Sequence, residues 1–135
     1  MTMDDKNAMI LCVDDEKIVL DTLVRQLEQL YADTFLYEQA QSVEEAWEII
    51  DEATEDGMDM VLVISDWLMP GTRGDEFLVE LHNRYPNTVK IMLSGQADKE
   101  AIDNAIANSN TTYFSKPWRI DQLKSYIDNT GMIAA

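Results

Sequence analysis

The sequence predicts an α/β fold, a doubly wound (βα)5 domain in which five parallel strands form one sheet. Short apolar runs rich in β-branched and aromatic residues alternate with stretches whose apolar residues recur at helical spacing. This alternation, repeated five times, is typical of a parallel sheet with right-handed crossovers and helices on both faces. The third run, residues 60–65, is apolar almost throughout, as expected of a central strand covered on both sides.

The apolar runs are short enough to be strands rather than buried helices. In chain order, the predicted strands cover residues 9–13, 34–40, 60–65, 90–94 and 111–115. The stretches that follow each show one apolar stripe at helical spacing. In the same order, the predicted helices cover residues 17–31, 42–55, 74–85, 98–108 and 119–128.

Local signals support the boundaries of these helices. The stripe of the first helix runs from Ile18 to Leu30. The second helix opens with Ser42 and has Glu45 three residues later, which is the pattern of a capping box. The third stops before Pro86, because a proline disfavours helical backbone in the residue that precedes it.

Length and composition predict one globular domain. The chain has 135 residues, of which 46% are hydrophobic, enough to bury a core. We expect the domain to cover residues 9–129, with a disordered N-terminal tail over residues 1–8 and a C-terminal tail over residues 130–135. No internal repeat or linker interrupts the pattern.

Charge and cysteine usage limit the function classes. The formal net charge is −16, so we expect no direct binding of nucleic acid and no attraction to anionic membranes. No apolar run approaches the roughly 20 residues that span a bilayer, and the N-terminus does not resemble a signal peptide. Cys12 is the single cysteine, which precludes an internal disulfide. Together these features predict a cytoplasmic protein.

Reactive side chains follow four of the predicted strands. Asp14 and Asp15 follow the first strand, Asp66 follows the third, Ser94 ends the fourth and Lys116 follows the fifth. Because ligands of open parallel sheets bind beyond the carboxyl ends of the strands, we expect these residues to meet at one edge.

Three carboxylates at one edge require positive charge nearby. Two like charges 4 Å apart repel by roughly 4 kcal/mol at an effective dielectric constant of 20. One divalent cation and Lys116 together would balance the trio, and Mg²⁺ or Mn²⁺ suits such oxygen ligands. A carboxylate beside these charges can act as a nucleophile and form an aspartyl-phosphate, and the Ser94 hydroxyl could donate to a phosphoryl oxygen.

Four stretches resemble the motifs of the response-regulator receiver domain of two-component signalling, the CheY-like family. They are VDDE at 13–16, ISDWLMPG at 64–71, MLSGQAD at 92–98 and YFSKPW at 113–118. The resemblance extends over nearly the whole chain, roughly residues 9–129. It implies a sheet with the flavodoxin-like strand order 2-1-3-4-5.

The resemblance also implies a role for each matched position. Asp66 would be the phosphoacceptor. Asp15 and Asp66 would be direct metal ligands, Asp14 would act partly through water, and Leu68 would offer its backbone carbonyl to the metal. Ser94 matches the hydroxyl that turns toward the phosphoryl group.

Two further positions are implied by the YFSKPW stretch. Lys116 matches the lysine that contacts the phosphoryl group, with a cis peptide bond before Pro117. Tyr113 matches the aromatic that swings inward together with Ser94, although an ordinary core residue is an equally good interpretation.

The resemblance implies two kinds of signalling partner, one that donates the phosphoryl group and one that responds to it. A histidine kinase or phosphotransfer protein would donate the phosphoryl group, and the face formed by the fourth helix, fifth strand and fifth helix would bind an output domain or effector protein. A homodimer through that face is a further option. The domain would catalyse only its own phosphotransfer and slow autodephosphorylation, and is not a turnover enzyme.

Two positions depart from many members of that family. Leu68 stands where many relatives carry a polar side chain, and Gln96 lies two residues after Ser94. In the family these positions adjust the access of water to the acyl phosphate. We therefore predict that Leu68→Asn changes the lifetime of the phosphorylated state.

Three other functions remain as alternatives. A phosphohydrolase of the haloacid-dehalogenase type would carry Asp-x-Asp after its first strand, where this chain has Asp14-Asp15-Glu16 and no visible cap insertion. A flavodoxin-like cofactor binder would need a phosphate loop rich in Ser, Thr and Gly at the same place. A receiver-like interaction module that is never phosphorylated would keep the fold without the chemistry.

Overall fold

One parallel sheet organises the chain. The computed structural model describes residues 7–69, 71–95 and 98–131. Its strands are β1 (Ala8–Val13), β2 (Leu36–Ala40), β3 (Asp59–Ser65), β4 (Val89–Ser94) and β5 (Thr112–Ser115). They pair in the order β2-β1-β3-β4-β5, and every pairing is parallel. The predicted fold class and strand order are confirmed, while residues 1–6 and 132–135 of the two predicted tails lie outside the described residues.

A helix follows each strand. The helices are α1 (Lys17–Tyr31), α2 (Val43–Glu55), α3 (Gly74–Arg84), α4 (Lys99–Ser109) and α5 (Ile120–Asn129). A short 3₁₀ turn, Ala32–Thr34, connects α1 to β2. The predicted start of the second strand at residue 34 is therefore wrong by two residues, because the chain leaves α1 through this turn, where the Tyr37 hydroxyl donates to the Ala32 carbonyl.

The start of α2 follows the capping-box prediction. The Ser42 hydroxyl accepts a hydrogen bond from the Glu45 N–H at 3.0 Å. In return, the Glu45 carboxylate accepts from the N–H of Gln41 at 2.7 Å, one residue earlier than in the standard motif. Two N–H groups outside the helical hydrogen-bond pattern are satisfied in this way.

Each face of the sheet carries its own apolar core. On one face α1 and α5 pack through Leu20, Leu23, Leu27, Leu123 and Ile127. On the other face α2, α3 and α4 pack through Ile50, Phe77, Leu78, Leu81 and Ala105. Because the central strand is covered on both sides, its side chains are apolar in both directions, as the sequence predicted.

Ile18 does not belong to the core, contrary to the prediction from the α1 stripe. Its side chain is 80% exposed, whereas Leu20, two residues later, is fully buried. Since α1 begins only four residues after β1 ends, its first turn lies at the rim of the sheet, where there is little apolar surface to cover. Helical spacing indicates which side of a helix faces the sheet, but not how far along the helix the sheet extends.

Two side-chain hydrogen bonds join α1 to α5 and to the loop that precedes α5. The Tyr31 hydroxyl donates to Asp128 of α5 at 2.9 Å. The Trp118 indole N–H donates to the side-chain oxygen of Gln26 at 2.8 Å.

Among the described residues, no helix is both long and apolar enough to cross a lipid bilayer.

Candidate functional site

The carboxyl ends of four strands surround one open cleft. Its volume is about 600 Å³, and its lining is Asp15, Glu16, Asp66, Leu68, Met69, Ser94, Gly95 and Lys116. The structure therefore brings together at one edge the residues that the sequence placed after strands β1, β3, β4 and β5.

The register of the sheet explains this convergence. Val13 is paired with Ser65, so the residues that follow them, Asp14 and Asp66, leave the sheet at the same level. The Asp66 N–H donates to the Val13 carbonyl at 2.9 Å and extends the ladder by one residue. In the same way, the N–H of Lys116 donates to the Ser94 carbonyl at 3.2 Å.

Three carboxylates form a compact acidic cluster. One oxygen from each of Asp14, Asp15 and Asp66 lies within 4.8 Å of the other two. Asp14 and Asp66 are buried, whereas Asp15 is exposed. Because like charges in partly buried surroundings repel strongly, the cluster is stable only with positive charge beside it.

Lys116 supplies one such charge. Its ammonium nitrogen lies 2.6 Å from Oδ2 of Asp14 and 3.5 Å from Oδ2 of Asp66. The second oxygen of Asp14, Oδ1, accepts from the N–H of Glu16 at 2.9 Å. Both oxygens of Asp14 are thus hydrogen-bonded within the protein.

The surroundings of Asp66 disfavour its ionised form. Burial is the main reason that the pKa of Asp66 lies above its usual value, and the negative charge of Asp14 adds to it. Lys116, a hydrogen bond from the Ser94 side chain and the N–H of Trp67 act in the opposite direction. The Trp67 N–H donates to Oδ1 of Asp66 at 2.7 Å.

The same surroundings favour the charged form of Lys116. Burial works against its ammonium group, but the hydrogen bond to Asp14 and the charges of Asp66 and Asp14 outweigh burial. The pKa of Lys116 is therefore raised, and the side chain remains a cation throughout the neutral range.

The two predicted switch residues, Ser94 and Tyr113, are joined by a hydrogen bond from the Tyr113 side chain to the Ser94 backbone. Ser94 is buried, and its side chain hydrogen-bonds to the Asp66 carboxylate. The Tyr113 hydroxyl donates to the backbone carbonyl of Ser94 at 2.7 Å, and its ring packs beside the core formed by α2, α3 and α4. Tyr113 therefore packs beside the core and also contacts Ser94, and its role as a switch residue stays a prediction.

Two of the remaining predicted features lie at the cleft, at Leu68 and at Lys116. Leu68 lines it with a side chain that is 50% exposed. The peptide bond between Lys116 and Pro117 is cis, as the resemblance implied. Gln96, the other predicted departure from the family, lies outside the described residues.

Gly74 permits a close contact beneath the acidic cluster. A Cβ atom at this position would lie 1.8 Å from the backbone oxygen of Asp66, so no larger residue fits without a shift of the backbone. The Gly74 N–H donates to the Trp67 carbonyl at 2.6 Å. The first turn of α3 is therefore held directly against the backbone of Asp66.

A charged network centred on Asp75 lies next to this contact and was not predicted from the sequence. Asp75 is completely buried and binds the guanidinium of Arg73 and the amide of Asn104. A signal was present, because Asp75 lies three residues before Leu78 and so occupies the inward-facing stripe of its helix. An acid on a buried stripe indicates a specific partner.

Comparison with known proteins agrees with this geometry. The sequence model of one protein family, described as the response regulator receiver domain, matches residues 10–128. The chain therefore belongs to the response regulator receiver domain family. Members of this family are signalling domains of two-component systems.

Relatives and solved structures extend the comparison. The chain is 34% identical over 122 residues to the hydrogenase transcriptional regulatory protein HoxA of Cupriavidus necator, covering 90% of this chain and 23% of that protein. It is 31% identical over 121 residues to the sensor kinase CckA of Brucella abortus, covering 90% of this chain and 12% of the kinase. The chain thus spans less than a quarter of each relative.

A solved structure has the same fold. The signal receiver domain of an HD domain-containing protein from Pseudomonas fluorescens Pf-5 superposes with a TM-score of 0.80 at 26% identity. The superposition covers 96% of this chain and 90% of that one.

Proposed function

We propose that this domain is a phosphorylation switch of a two-component system in which Asp66 accepts a phosphoryl group from a histidine kinase or a phosphotransfer protein. The observation that carries the proposal is the placement of Lys116, Ser94 and three carboxylates around one open cleft. The names of the relatives, a regulatory protein and a sensor kinase, agree with such a pathway.

The acidic cluster fits a divalent cation. Mg²⁺ and Mn²⁺ prefer carboxylate, carbonyl and water oxygens, which this edge of the sheet offers. Asp15, Asp66 and the Leu68 carbonyl would hold the cation directly. Asp14 would act partly through water, in keeping with the hydrogen bonds that its oxygens already make to Lys116 and Glu16. When bound, the cation neutralises negative charge on the phosphoryl oxygens.

The protein groups have separable tasks in the transfer. A carboxylate oxygen of Asp66 forms the new bond to phosphorus while the bond from phosphorus to the donor imidazole nitrogen breaks, and the electron pair leaves with that nitrogen. Lys116 stabilises charge on the phosphoryl oxygens, since its pKa is raised and it is held beside Asp66. The Ser94 hydroxyl exchanges its hydrogen bond to the carboxylate for one to a phosphoryl oxygen.

The output step begins at Ser94 and Tyr113. Phosphorylation raises the population of the arrangement in which Ser94 faces the site and the Tyr113 hydroxyl donates to the Ser94 carbonyl. Tyr113 lies in β5, between α4 and α5 in the chain, so this population shift alters the face formed by α4, β5 and α5. This face would bind an output domain, an effector protein or a second receiver in a homodimer.

In this function the domain is a protein substrate that assists its own modification. Slow hydrolysis of the acyl phosphate returns Asp66 to its starting state, and no separate small-molecule substrate is turned over. We place the domain in the cytoplasm, as predicted from the sequence.

Intact mass spectrometry tests the function directly. The chain is incubated with Mg²⁺ and acetyl phosphate, beside Asp66→Asn and, as a matched control, Asp51→Asn on the exposed side of α2. We expect the parent chain and the Asp51 variant to gain one phosphoryl group, and the gain to vanish with EDTA or in the Asp66 variant. A folded parent chain that gains nothing from acetyl phosphate or from a phosphorylated histidine phosphotransfer protein would instead be a phosphorylation-independent interaction module.

A further inference from the structure

A buried carboxylate joins α3 to α4 beside the proposed phosphorylation site. No part of Asp75, in the first turn of α3, is exposed to solvent. Its Oδ1 accepts from Nε of Arg73 at 3.0 Å, and its Oδ2 accepts from Nη2 of the same guanidinium at 2.9 Å. Oδ2 also accepts from the amide Nδ2 of Asn104, in the middle of α4, at 3.0 Å.

The α3 end of this network is in rigid contact with the phosphoacceptor. Gly74, the neighbour of Asp75, lies against the backbone oxygen of Asp66 so closely that a Cβ would stand 1.8 Å from it. The hydrogen bond from the Gly74 N–H to the Trp67 carbonyl closes the loop between them. A displacement of the backbone at Asp66 is therefore transmitted to Asp75 by direct contact, because closely packed atoms do not compress.

The α4 end of the network follows Ser94 along the chain. Asp98 caps α4 by accepting from the N–H of Ala101 at 2.8 Å, so the cap lies four residues after Ser94 and the helix begins at the next residue. Within α4, Oδ1 of Asn104 accepts from the side-chain amide of Asn108 at 2.7 Å. This bond orients the Asn104 amide with its NH₂ group toward Asp75.

The charge of Asp75 makes the contact sensitive to the position of α4. A fully buried carboxylate is stable only when it is paired and hydrogen-bonded. Arg73 is half exposed and belongs to the same loop and helix as Asp75, so it follows Asp75 when α3 moves. Asn104 is the donor from a different helix, and its bond is made or broken according to how α4 sits against α3.

We propose that Asp75 and Asn104 are positioning residues that couple the state of Asp66 to the position of α4. The inference rests on the proposed function of Asp66. The bond between them coexists with the hydrogen bond from the Ser94 side chain to Asp66 and the inward contact of the Tyr113 hydroxyl. An interaction that is present in only one arrangement of a protein raises the population of that arrangement. The bond between Asp75 and Asn104 therefore favours the arrangement in which Ser94 faces Asp66.

Binding of a phosphoryl analogue measures the coupling. The affinity of the full chain for beryllofluoride in the presence of Mg²⁺ is determined by titration calorimetry. The test variant is Asn104→Leu, which removes the donor and keeps a good helix former. The matched control is Asn83→Leu, at an exposed position of α3 whose side chain makes no hydrogen bond within the described part of the chain.

We expect Asn104→Leu to bind beryllofluoride about 5- to 20-fold more weakly than the parent chain, in the range of ordinary coupling between two sites. Asn83→Leu should stay within about twofold of the parent, as surface substitutions usually do. Hydrogen exchange provides an independent measurement. Beryllofluoride should change the protection of the α4 backbone amides in the parent chain, and this change should be smaller in Asn104→Leu. In a double-mutant cycle, Asp75→Leu should add nothing to Asn104→Leu.

Each outcome has a separate meaning. If Asn104→Leu is less stable than the parent yet binds beryllofluoride equally well, the bond is structural only and the coupling is overturned. If the parent chain accepts a phosphoryl group from acetyl phosphate and Asn104→Leu responds in α4 as the parent does, the proposed function stands and the coupling fails. If the parent chain accepts no phosphoryl group and binds no beryllofluoride, both fail together. Should Asp75→Leu not fold, the comparison of Asn104→Leu with Asn83→Leu decides the question alone.

Discussion

The ammonium group of Lys116 lies closer to Asp14 than to Asp66, at 2.6 Å from the former and 3.5 Å from the latter. The main cation of the cleft is therefore shared unequally, and the better paired carboxylate is not the proposed phosphoacceptor. Asp66 keeps a charge that its surroundings compensate only in part, which agrees with its raised pKa. This incomplete compensation favours the binding of further positive charge next to Asp66.

The first prediction concerns stability and pH. Because burial raises the pKa of Asp66 in the folded chain, the native state binds more protons than the unfolded state between about pH 4, the unfolded pKa, and the folded pKa. The contribution of Asp66 to stability therefore falls as the pH rises through the folded pKa. We expect Asp66→Asn to raise Tm at pH 7 without divalent cations by about 2–4 °C, and the difference to shrink toward pH 4.

Thermal unfolding followed by circular dichroism in EDTA at several pH values checks this. Asp51→Asn, at an exposed position, serves as the control and should leave Tm unchanged. A lower Tm for Asp66→Asn at pH 7 would contradict the charge balance described here.

The second prediction concerns the divalent cation. A ligand that binds only the folded chain stabilises it by about 2.7 kcal/mol at one hundred times its dissociation constant. We expect Mg²⁺ to raise Tm progressively in the parent chain and to lose most of this effect in Asp15→Asn. Glu16→Gln, a charge-neutralising change at the next position of the cleft lining, should retain it. Equal responses of Asp15→Asn and the parent chain would exclude Asp15 as a ligand.

The third prediction concerns the lifetime of the phosphorylated state. Leu68 lines the cleft and is half exposed, so its apolar side chain limits the room for ordered water beside Asp66. We expect Leu68→Asn to shorten the lifetime of the acyl phosphate severalfold, because an amide can hold a water molecule there. The decay of the phosphorylated mass after removal of acetyl phosphate measures this. Leu36→Asn, an exposed leucine of β2, is the control, and equal lifetimes for both variants would refute the role of Leu68.

The fourth prediction concerns the contact between α3 and the backbone of Asp66. Gly74→Ala would place a methyl group 1.8 Å from a backbone oxygen, where no flexible side chain can move aside. We expect a loss of at least about 3 kcal/mol in the free energy of unfolding, the upper part of the range for overpacking. Gly95→Ala is the matched control, since its methyl would meet Lys116 Cβ at an ordinary 3.6 Å. Urea unfolding of both variants checks the difference.

The fifth prediction concerns a buried lysine at the opposite end of the sheet. Lys90 is 2% exposed, its ammonium group donates to the Thr88 carbonyl, and no acidic side chain among the described residues forms an ion pair with it. Burial lowers its pKa, so the native chain binds fewer protons than the unfolded chain at high pH and gains stability as the pH rises toward 10.5.

We expect Lys90→Met to be more stable than the parent at pH 7 by roughly 1 kcal/mol, because the apolar side chain needs no partner. The advantage should diminish at high pH. Lys124→Met, on the surface of α5, is the control in urea unfolding. A Lys90→Met variant that unfolds more readily than the parent would show that the ammonium group is stabilising.

Most of the cleft could be predicted from local sequence because a parallel sheet orders its strand ends. Once the five runs are recognised as parallel strands, any residue that follows a strand lies at the same edge. Asp14, Asp66, Ser94 and Lys116 each follow or end a strand directly, so their convergence needs no knowledge of side-chain contacts.

Contacts between helices could not be predicted in this way. Asp75 and Asn104 are 29 positions apart on different helices, and nothing in either helical pattern indicates which turn of α4 lies beside which turn of α3. The Tyr113 hydroxyl reaches a backbone carbonyl, and backbone acceptors are present at every residue. In each case the partner depends on distances that arise only when the helices dock on the sheet.

The sequence by itself determined the parallel α/β fold class, the edge of the sheet that carries the chemistry and the residue types that line it, because these follow from short-range periodicity and from the geometry of parallel strands. The strand order was implied by the resemblance to the receiver family. Only the tertiary structure decided that Lys116 pairs most closely with Asp14, that Ile18 lies outside the core, and that a buried Asp75 binds α4. These features depend on ångström-scale distances between elements, which are set by the packing of the whole domain and not by any one segment.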